Sequence, residues 1–344
     1  PQRQSELAAT EQTLAETQAR RGQLDERLKA SQQPFLAAAF SPDGSRLTCL
    51  DAQGGVVVCG GSDGLPRRRF DATAAATAIA AVNGDRLLLC GGTETASIWE
   101  ACDRWTLIRT IGGEQLPPAL DDEPQGPPVD AVLALTFSPD GSLLASGSGR
   151  ASRGGEIKLW STADGQLVRG FDQPHSDTVV ALAFSRDGTW LASGGTDRLA
   201  KMHEVATGSA VRSFEGHTGH VLGVAWQANG RRLATAGADN VLKIWDAASG
   251  EQQRTIGGLG REVTGVRFIG EGDEIAATSG DATVRVFNAA SGGEVRRLQG
   301  AGDFVQSVAI AGSTLAAGSQ DGRMQIWNVA NPQPLHTLEP SPAP

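Results

Sequence analysis

Short apolar segments alternate with polar turns along most of the chain, and the pattern is clearest between His217 and Asp246. Three apolar segments in this stretch, VLGVAW, RRLATAG and VLKIWD, are separated by the turns QANG and ADN. Apolar runs of this length, bounded by Gly, Asn and Asp, are typical of β-strands joined by tight turns. A single three-stranded piece cannot bury its own faces. The pattern therefore predicts that similar pieces pack beside it.

Copies of this pattern recur along the chain. The first strand of each copy ends at one apolar residue: Phe40, Val82, Phe137, Phe184, Trp226, Phe268 and Ile310. The steps between these residues are 42, 55, 47, 42, 42 and 42 residues, and each copy continues with three more strands. Such a period predicts an all-β fold, a seven-bladed β-propeller of residues 34–340. The predicted blades cover residues 34–70, 71–111, 129–171, 175–214, 217–256, 260–298 and 302–338.

From about Phe35 to Leu338 the chain resembles the WD-repeat (WD40) family, because seven copies stand in register and blade five ends on the dipeptide Trp245-Asp246. The resemblance implies a structural tetrad of hydrogen-bonded side chains: His217, Thr235, Asp239 and Trp245. A buried indole N–H needs an acceptor, which the threonine hydroxyl supplies. The histidine then reaches the threonine, and the aspartate orients the histidine.

The other blades depart from this pattern to different degrees. Blade four keeps a partial tetrad, His175, Ser193 and Asp197, with His203 at the tryptophan position as a buried, hydrogen-bonded substitute. Blades one and two are expected to be the least regular. In blade one Cys49 and Cys59 occupy the threonine and tryptophan positions, where they are either two buried free thiols or a cross-strand disulfide.

The ring is expected to close differently from the family's usual arrangement, in which an N-terminal strand joins the last blade. Here residues 335–338, LHTL, provide the outer strand of blade seven, so no interlocked blade is expected. Residues 1–33 are predicted to be a helical linker, with one helix over residues 5–31. Its weak heptad pattern leaves two possibilities open, self-association as a coiled coil or a lone surface helix.

Two insertions interrupt the repeat, at residues 112–128 and 149–155, and both are expected on the face that carries the tetrad histidine. The first is rich in proline and acidic residues and is predicted to be an irregular, solvated loop. The chain begins with a proline inside a helical pattern, so we expect it to be part of a longer protein. Only four of its 30 basic residues are lysine, a bias that suggests a GC-rich genome and a bacterial origin.

Composition and charge exclude several functions. A net charge of −9 argues against nucleic-acid binding, which requires a basic surface. No apolar run reaches the roughly 20 residues of a membrane span, and no signal peptide is visible, so the compartment stays open between cytoplasm and periplasm. No catalytic or cofactor motif occurs, and the spacing of the histidines and cysteines predicts no metal site. The sequence therefore predicts a protein that is not an enzyme.

Candidate contacts with a partner lie just before the first strands, around the mouth of the central channel: Asp130, Asp177, His220, Arg261, Glu262, Asp303 and Phe304. An aromatic side chain ringed by charges is typical of interface anchors. The favoured interpretation is a scaffold that binds a protein or peptide there. Two alternatives are an accessory domain of a larger bacterial enzyme or haem protein, and a propeller that binds a small molecule or metal in its channel.

The fourth strands share a basic residue two positions before their last apolar residue: Arg68, Arg109, Arg169, Arg212, Arg254, Arg296 and His336. A charge on an exposed sheet edge prevents edge-to-edge association, which is the favoured explanation. The alternative is a basic belt that binds an acidic partner.

Overall fold

The computed structural model describes residues 34–41, 43–52, 54–71, 76–82, 86–91, 95–101, 105–112, 132–150, 154–172 and 174–339. The regular secondary structure in these ranges consists of β-strands alone. The strands form seven four-stranded antiparallel sheets in chain order. The prediction of an all-β propeller is confirmed. The helix predicted for residues 5–31 lies outside the described residues, and with it the coiled coil.

Each sheet is one blade, and its strands a to d follow one another from the centre outwards. The strands are β1 Phe35–Phe40, β2 Arg46–Asp51, β3 Gly55–Gly60 and β4 Pro66–Asp71; β5 Ala76–Val82, β6 Arg86–Gly91, β7 Thr95–Ala101 and β8 Trp105–Gly112; β9 Val132–Phe137, β10 Leu143–Arg150, β11 Gly154–Ser161 and β12 Leu167–Gly170; β13 Val179–Phe184, β14 Trp190–Gly195, β15 Ala200–Glu204 and β16 Ala210–Phe214; β17 Val221–Trp226, β18 Arg232–Gly237, β19 Leu242–Asp246 and β20 Gln252–Ile256; β21 Val263–Phe268, β22 Glu274–Ser279, β23 Thr283–Asn288 and β24 Glu294–Leu298; β25 Val305–Ala311, β26 Thr314–Ser319, β27 Met324–Asn328 and β28 His336–Leu338.

Contacts between innermost strands close the ring. Each of β1, β5, β9, β13, β17 and β21 contacts the next innermost strand, and β25 returns to contact β1. The outer strand of blade seven is β28, paired with β27, so residues from the C-terminal part complete this blade as predicted. Phe35 and Leu47 pack against Met324 and Ile326 across the closure. Apolar packing between blades one and seven therefore joins the ends of the ring.

The second strands of blades three to seven are rich in small residues because both of their faces are covered by neighbouring blades. In β18, Leu233, Ala234, Thr235 and Ala236 have no exposed surface. Fully buried strands read as continuous runs of apolar and small residues, which is the pattern seen in the sequence.

Antiparallel pairing places the a–b and c–d turns at one end of every blade and the b–c turns and d–a loops at the other. The b–c turns and d–a loops form the upper face, which includes His217 in a d–a loop. The a–b and c–d turns form the lower face. A left-handed residue occupies the same position in five b–c turns: Gly54, Arg198, Asn240, Ala282 and Gly322. Arginine and alanine are strained in this conformation, whereas glycine and asparagine adopt it readily.

Arginines of the outer strands connect neighbouring blades. In blades three to six, the arginine two positions before the last apolar residue donates a hydrogen bond to a carbonyl in a c–d turn of the following blade. These bonds join Arg169 Nη1 to Thr207 O (3.1 Å), Arg212 Nη1 to Ser249 O (2.7 Å), Arg254 Nε to Ala290 O (3.0 Å) and Arg296 Nη1 to Val329 O (2.7 Å). The shared position is therefore explained by bonds between blades, which neither the edge-protection nor the basic-belt hypothesis included.

Both ends of the insertion at residues 149–155 belong to the sheet of blade three. Strands β10 and β11 extend into it, with Gly149 opposite Gly155 and Arg150 opposite Gly154, because the cross-strand pairing simply continues. The backbone N–H of Gly155 donates to the carbonyl of His175 at 3.0 Å, so this hairpin lies against the start of blade four. Residues 113–131, which include most of the other insertion, lie outside the described ranges.

Candidate functional site

Blade five contains a chain of hydrogen bonds between four side chains. The Trp245 indole Nε1–H donates to Thr235 Oγ1 at 2.9 Å, and His217 Nε2 lies 2.7 Å from the same hydroxyl. His217 Nδ1 lies 2.9 Å from each carboxylate oxygen of Asp239. A neutral imidazole with its proton on Nδ1 satisfies every group, since the threonine hydroxyl then donates to Nε2. Burial lowers the pKa of His217, which favours this neutral form.

Strand register explains why these residues meet. Thr235 lies opposite Lys243 and Leu233 lies opposite Trp245, so the indole reaches its threonine diagonally across two strands. The left-handed residue Asn240 closes the b–c turn, which places Asp239 below the d–a loop. Burial raises the pKa of the Asp239 carboxyl, but the backbone N–H of Thr218 and the imidazole outweigh this effect and the pKa is lowered.

Blade four has the same chain with a histidine in place of the tryptophan. His203 Nε2 lies 2.9 Å from Ser193 Oγ, which lies 2.8 Å from His175 Nε2. His175 Nδ1 is 2.9 Å from Asp197. Burial is the main cause that lowers the pKa of His203 to about 3, and the nearby His175 adds to it. His203 is 1% exposed and is a buried, hydrogen-bonded substitute for tryptophan, as predicted.

The serine, histidine and aspartate of blade four match the side-chain types and order of contacts of a hydrolase triad. A nucleophilic serine must meet substrate and needs donors for the developing oxyanion. Ser193 has no exposed surface, and its hydroxyl lies between two imidazoles. The arrangement therefore binds the strands of the blade together and cannot present a nucleophile to a substrate.

The candidate partner contacts, here called the rim residues, lie one or two positions before innermost strands on the upper face: Asp177, His220, Arg261, Glu262, Asp303 and Phe304. Asp130 lies outside the described residues. A repeated backbone bond holds the rim, because a b–c turn N–H donates to the carbonyl of His220 at 2.8 Å, Glu262 at 3.0 Å and Phe304 at 2.8 Å. His220 and Arg261 are exposed.

Two rim residues meet over one glycine. A Cβ atom at Gly280, in the b–c turn of blade six, would lie 2.6 Å from the Phe304 ring and 3.1 Å from the Glu262 carboxylate carbon. The phenylalanine is thus half-buried and rests on the neighbouring blade, rather than standing fully exposed. The Asp303 carboxylate accepts the backbone N–H of Phe304 at 2.7 Å. Asp177 belongs to blade four and is separated from this pair by blade five.

Comparison with known families agrees with this geometry. The family model described as "WD domain, G-beta repeat" matches residues 125–161, 165–204, 208–246 and 292–328. The chain is a WD40-repeat β-propeller. The matched WD40 segments cover strands of blades three, four, five and seven and the outer strand β24 of blade six, and they include both hydrogen-bonded histidine chains. Blades one and two lie outside the matched segments. No curated protein matches the chain.

Blade one of the WD40 propeller holds a pair of thiols. Cys49 and Cys59 are both buried and both free. The two cysteines are diagonal neighbours on adjacent strands, since Cys49 lies opposite Val57 and Cys59 lies opposite Leu47. The hydrogen bond between the two thiols, with burial, raises the pKa of Cys49, while the same bond lowers the pKa of Cys59. The pair therefore replaces the threonine–tryptophan contact by a much smaller one.

Neither a metal site nor a membrane helix is found among the described residues. No three His, Cys, Asp or Glu side chains in these ranges lie close enough together to hold a metal ion. None of the ranges contains a helix of the length and apolarity that crossing a membrane requires.

Sequence reasoning overlooked one charged residue of the central channel. Arg267 is the fifth residue of β21 and lines both cavities of the channel. The signal was present in the repeat, because a large cation stands here where the other innermost strands carry small residues.

Proposed function

We propose that this WD40 propeller is a non-catalytic interaction platform that binds a protein or peptide on its upper face. The observation that carries the proposal is the pairing of Phe304 with Glu262 over Gly280. A half-buried aromatic ring next to charged groups provides a rigid apolar contact with a polar surround, the composition of binding hot spots. The fold is commonly used for protein-interaction scaffolds.

The upper face also carries the extra structure of the chain. The extended β10–β11 hairpin reaches the carbonyl of His175 on this side. In this proposal the hydrogen-bonded chains of blades four and five are structural, and the rim residues make the contacts. A helical segment at residues 1–33, with self-association through that segment, belongs to the same proposal.

The test compares two double variants matched in chemistry. Phe304→Ala with Arg261→Ala removes an aromatic and a cation from the upper face. Leu65→Ala with Arg231→Ala removes an apolar residue and a cation from the lower face, where Leu65 is 55% exposed and Arg231 is also exposed. The tagged variants are used to capture partners from cells that express the protein, and each captured partner's affinity is then measured.

Loss of a hot spot weakens binding by about 2 kcal/mol or more, roughly 30-fold. We expect this loss for the upper-face variant and no change for the lower-face variant. Equal recovery of partners by both variants would disprove the assignment of the upper face. A Gly280→Ala variant, which displaces the ring of Phe304, should weaken binding in the same direction.

A further inference from the structure

A single cation interrupts an otherwise small-residue layer around the central channel. Strand register places Arg267 opposite Ala276, and the equivalent residue of each other innermost strand is small. These residues are Ala39, Ala80, Thr136, Ala183, Ala225 and Ala309. Space for the long side chain therefore exists because the other six blades leave it free.

Two cavities meet at this arginine. One, of about 340 Å³, is lined near the lower face by blades one, two, three and seven together with Arg267. The other, of about 180 Å³, is lined by residues of all seven innermost strands, again with Arg267. Because Arg267 lines both cavities, its side chain lies where they adjoin, inside the channel.

The charge of Arg267 is not neutralised by the described part of the chain. No Asp, Glu, Lys or His lines either cavity, and no ion pair within the described ranges includes Arg267. Its Nη1 donates to the neighbouring carbonyl of Val266 at 2.8 Å. A guanidinium has five N–H donors in a planar fork, so donors are left to face the channel.

Arg267 lies inside the channel, and its side chain is accessible to solvent there. Atoms of the surrounding blades displace part of the water around the guanidinium, and this desolvation lowers its pKa. The side chain nevertheless has solvent-accessible surface, because it borders the channel volume. Arginine keeps its proton under these conditions. A cation without a carboxylate partner in a channel with apolar walls attracts an anion that enters the channel.

We propose that the central channel is a binding site for a small oxyanion, a molecule with a carboxylate or phosphate group held by Arg267. The guanidinium fork matches the two oxygens of either group in a bidentate contact. A volume of 340 Å³ is at the lower end of ligand pockets, which fits a small metabolite and not a protein segment. Channel walls such as Ile79, Leu135 and Val308 contact its apolar part.

The test measures binding of two probes, inorganic phosphate and succinate, by isothermal titration calorimetry at low salt. The key variant is Arg267→Ala, which places in blade six the residue that five other blades carry, so the fold is retained. Arg231→Ala, which removes an exposed arginine that lines neither cavity and is not a rim residue, is the matched control. Thermal unfolding of all three proteins without probe reports any effect on the fold itself.

We expect at least one probe to bind the wild type and the control with equal affinity, and the Arg267→Ala variant to bind it about ten- to a hundredfold more weakly. If only phosphate binds, the channel prefers a phosphate group; if only succinate binds, it prefers a carboxylate group. Absence of binding by the wild type, or equal binding by Arg267→Ala, would overturn the proposal. Either result leaves the upper-face platform untouched, because Arg267 is not a rim residue.

Discussion

Acid should destabilise blade four through His203. Its imidazole lies between Ser193 and the ring of Phe171, whose centroid is 5.3 Å away. Burial lowers its pKa to about 3, whereas an unfolded histidine has a pKa of about 6.5. For a base with a depressed folded pKa, the unfolded chain takes up the proton first. The contribution of neutral His203 to the free energy of unfolding is therefore complete above pH 6.5. It is lost as the pH falls from 6.5 towards about 3.

The size of the effect follows from the two pKa values. Each pH unit below the unfolded pKa costs about 1.4 kcal/mol until the folded pKa is reached. Between pH 7.5 and pH 5 the loss from His203 alone is therefore about 2 kcal/mol, an order-of-magnitude figure for a group that is 1% exposed. Burial also lowers the pKa of His217, which adds to the total, so only a comparison with a variant isolates His203.

The variant His203→Trp reproduces the pair in blade three, where Trp160 Nε1 donates to Ser146 Oγ at 2.9 Å. His203→Gln, which keeps an N–H donor without titrating, is the second variant. Urea unfolding at pH 7.5 and pH 5 gives the free energy of unfolding of each protein. We expect the wild type to lose about 2 kcal/mol more than either variant over this range. Equal pH dependence in all three proteins would refute the reasoning.

Three further effects on stability are expected, each measured by urea unfolding. Thr235→Val leaves the Trp245 indole N–H and the His217 Nε2 of blade five without a hydrogen-bond partner and should cost about 2–4 kcal/mol, while the exposed control Thr337→Val changes little. Ala282→Gly should stabilise by about 0.5–1 kcal/mol, because glycine relieves the left-handed strain at φ 62°; a loss would contradict this. Arg254→Ala breaks a bond between blades and should cost about 1 kcal/mol, whereas Arg231→Ala should be neutral.

The repeat pattern predicted the fold because it constrains every blade in the same way. Runs such as Leu233–Ala236 must be small and apolar to be covered on both faces, so strand identity and order are encoded locally. The outer strand of blade seven was predicted for the same reason, from the spacing of its apolar residues. Register then places His217 and Thr235 within hydrogen-bond distance.

The chemistry between blades was not predicted because it joins residues far apart in sequence. Arg212 bonds to the carbonyl of Ser249 in the next blade, a contact that no pattern within one repeat reveals. Phe304 was expected to stand exposed, but the ring rests on Gly280 because a glycine there leaves room for it. Arg267 differs from its six counterparts in the sequence, but its meaning depends on the closed channel.

The most direct test of the interaction platform is position-specific photo-crosslinking. A photoreactive amino acid replaces Arg261 on the upper face or Arg231 on the lower face, both of them exposed arginines. Cells that express each protein are irradiated, and covalent adducts are identified by mass spectrometry. The upper-face position should yield adducts with a defined partner, and the lower-face position should not. Adducts from position 231 alone, or the same adducts from both positions, would contradict the account.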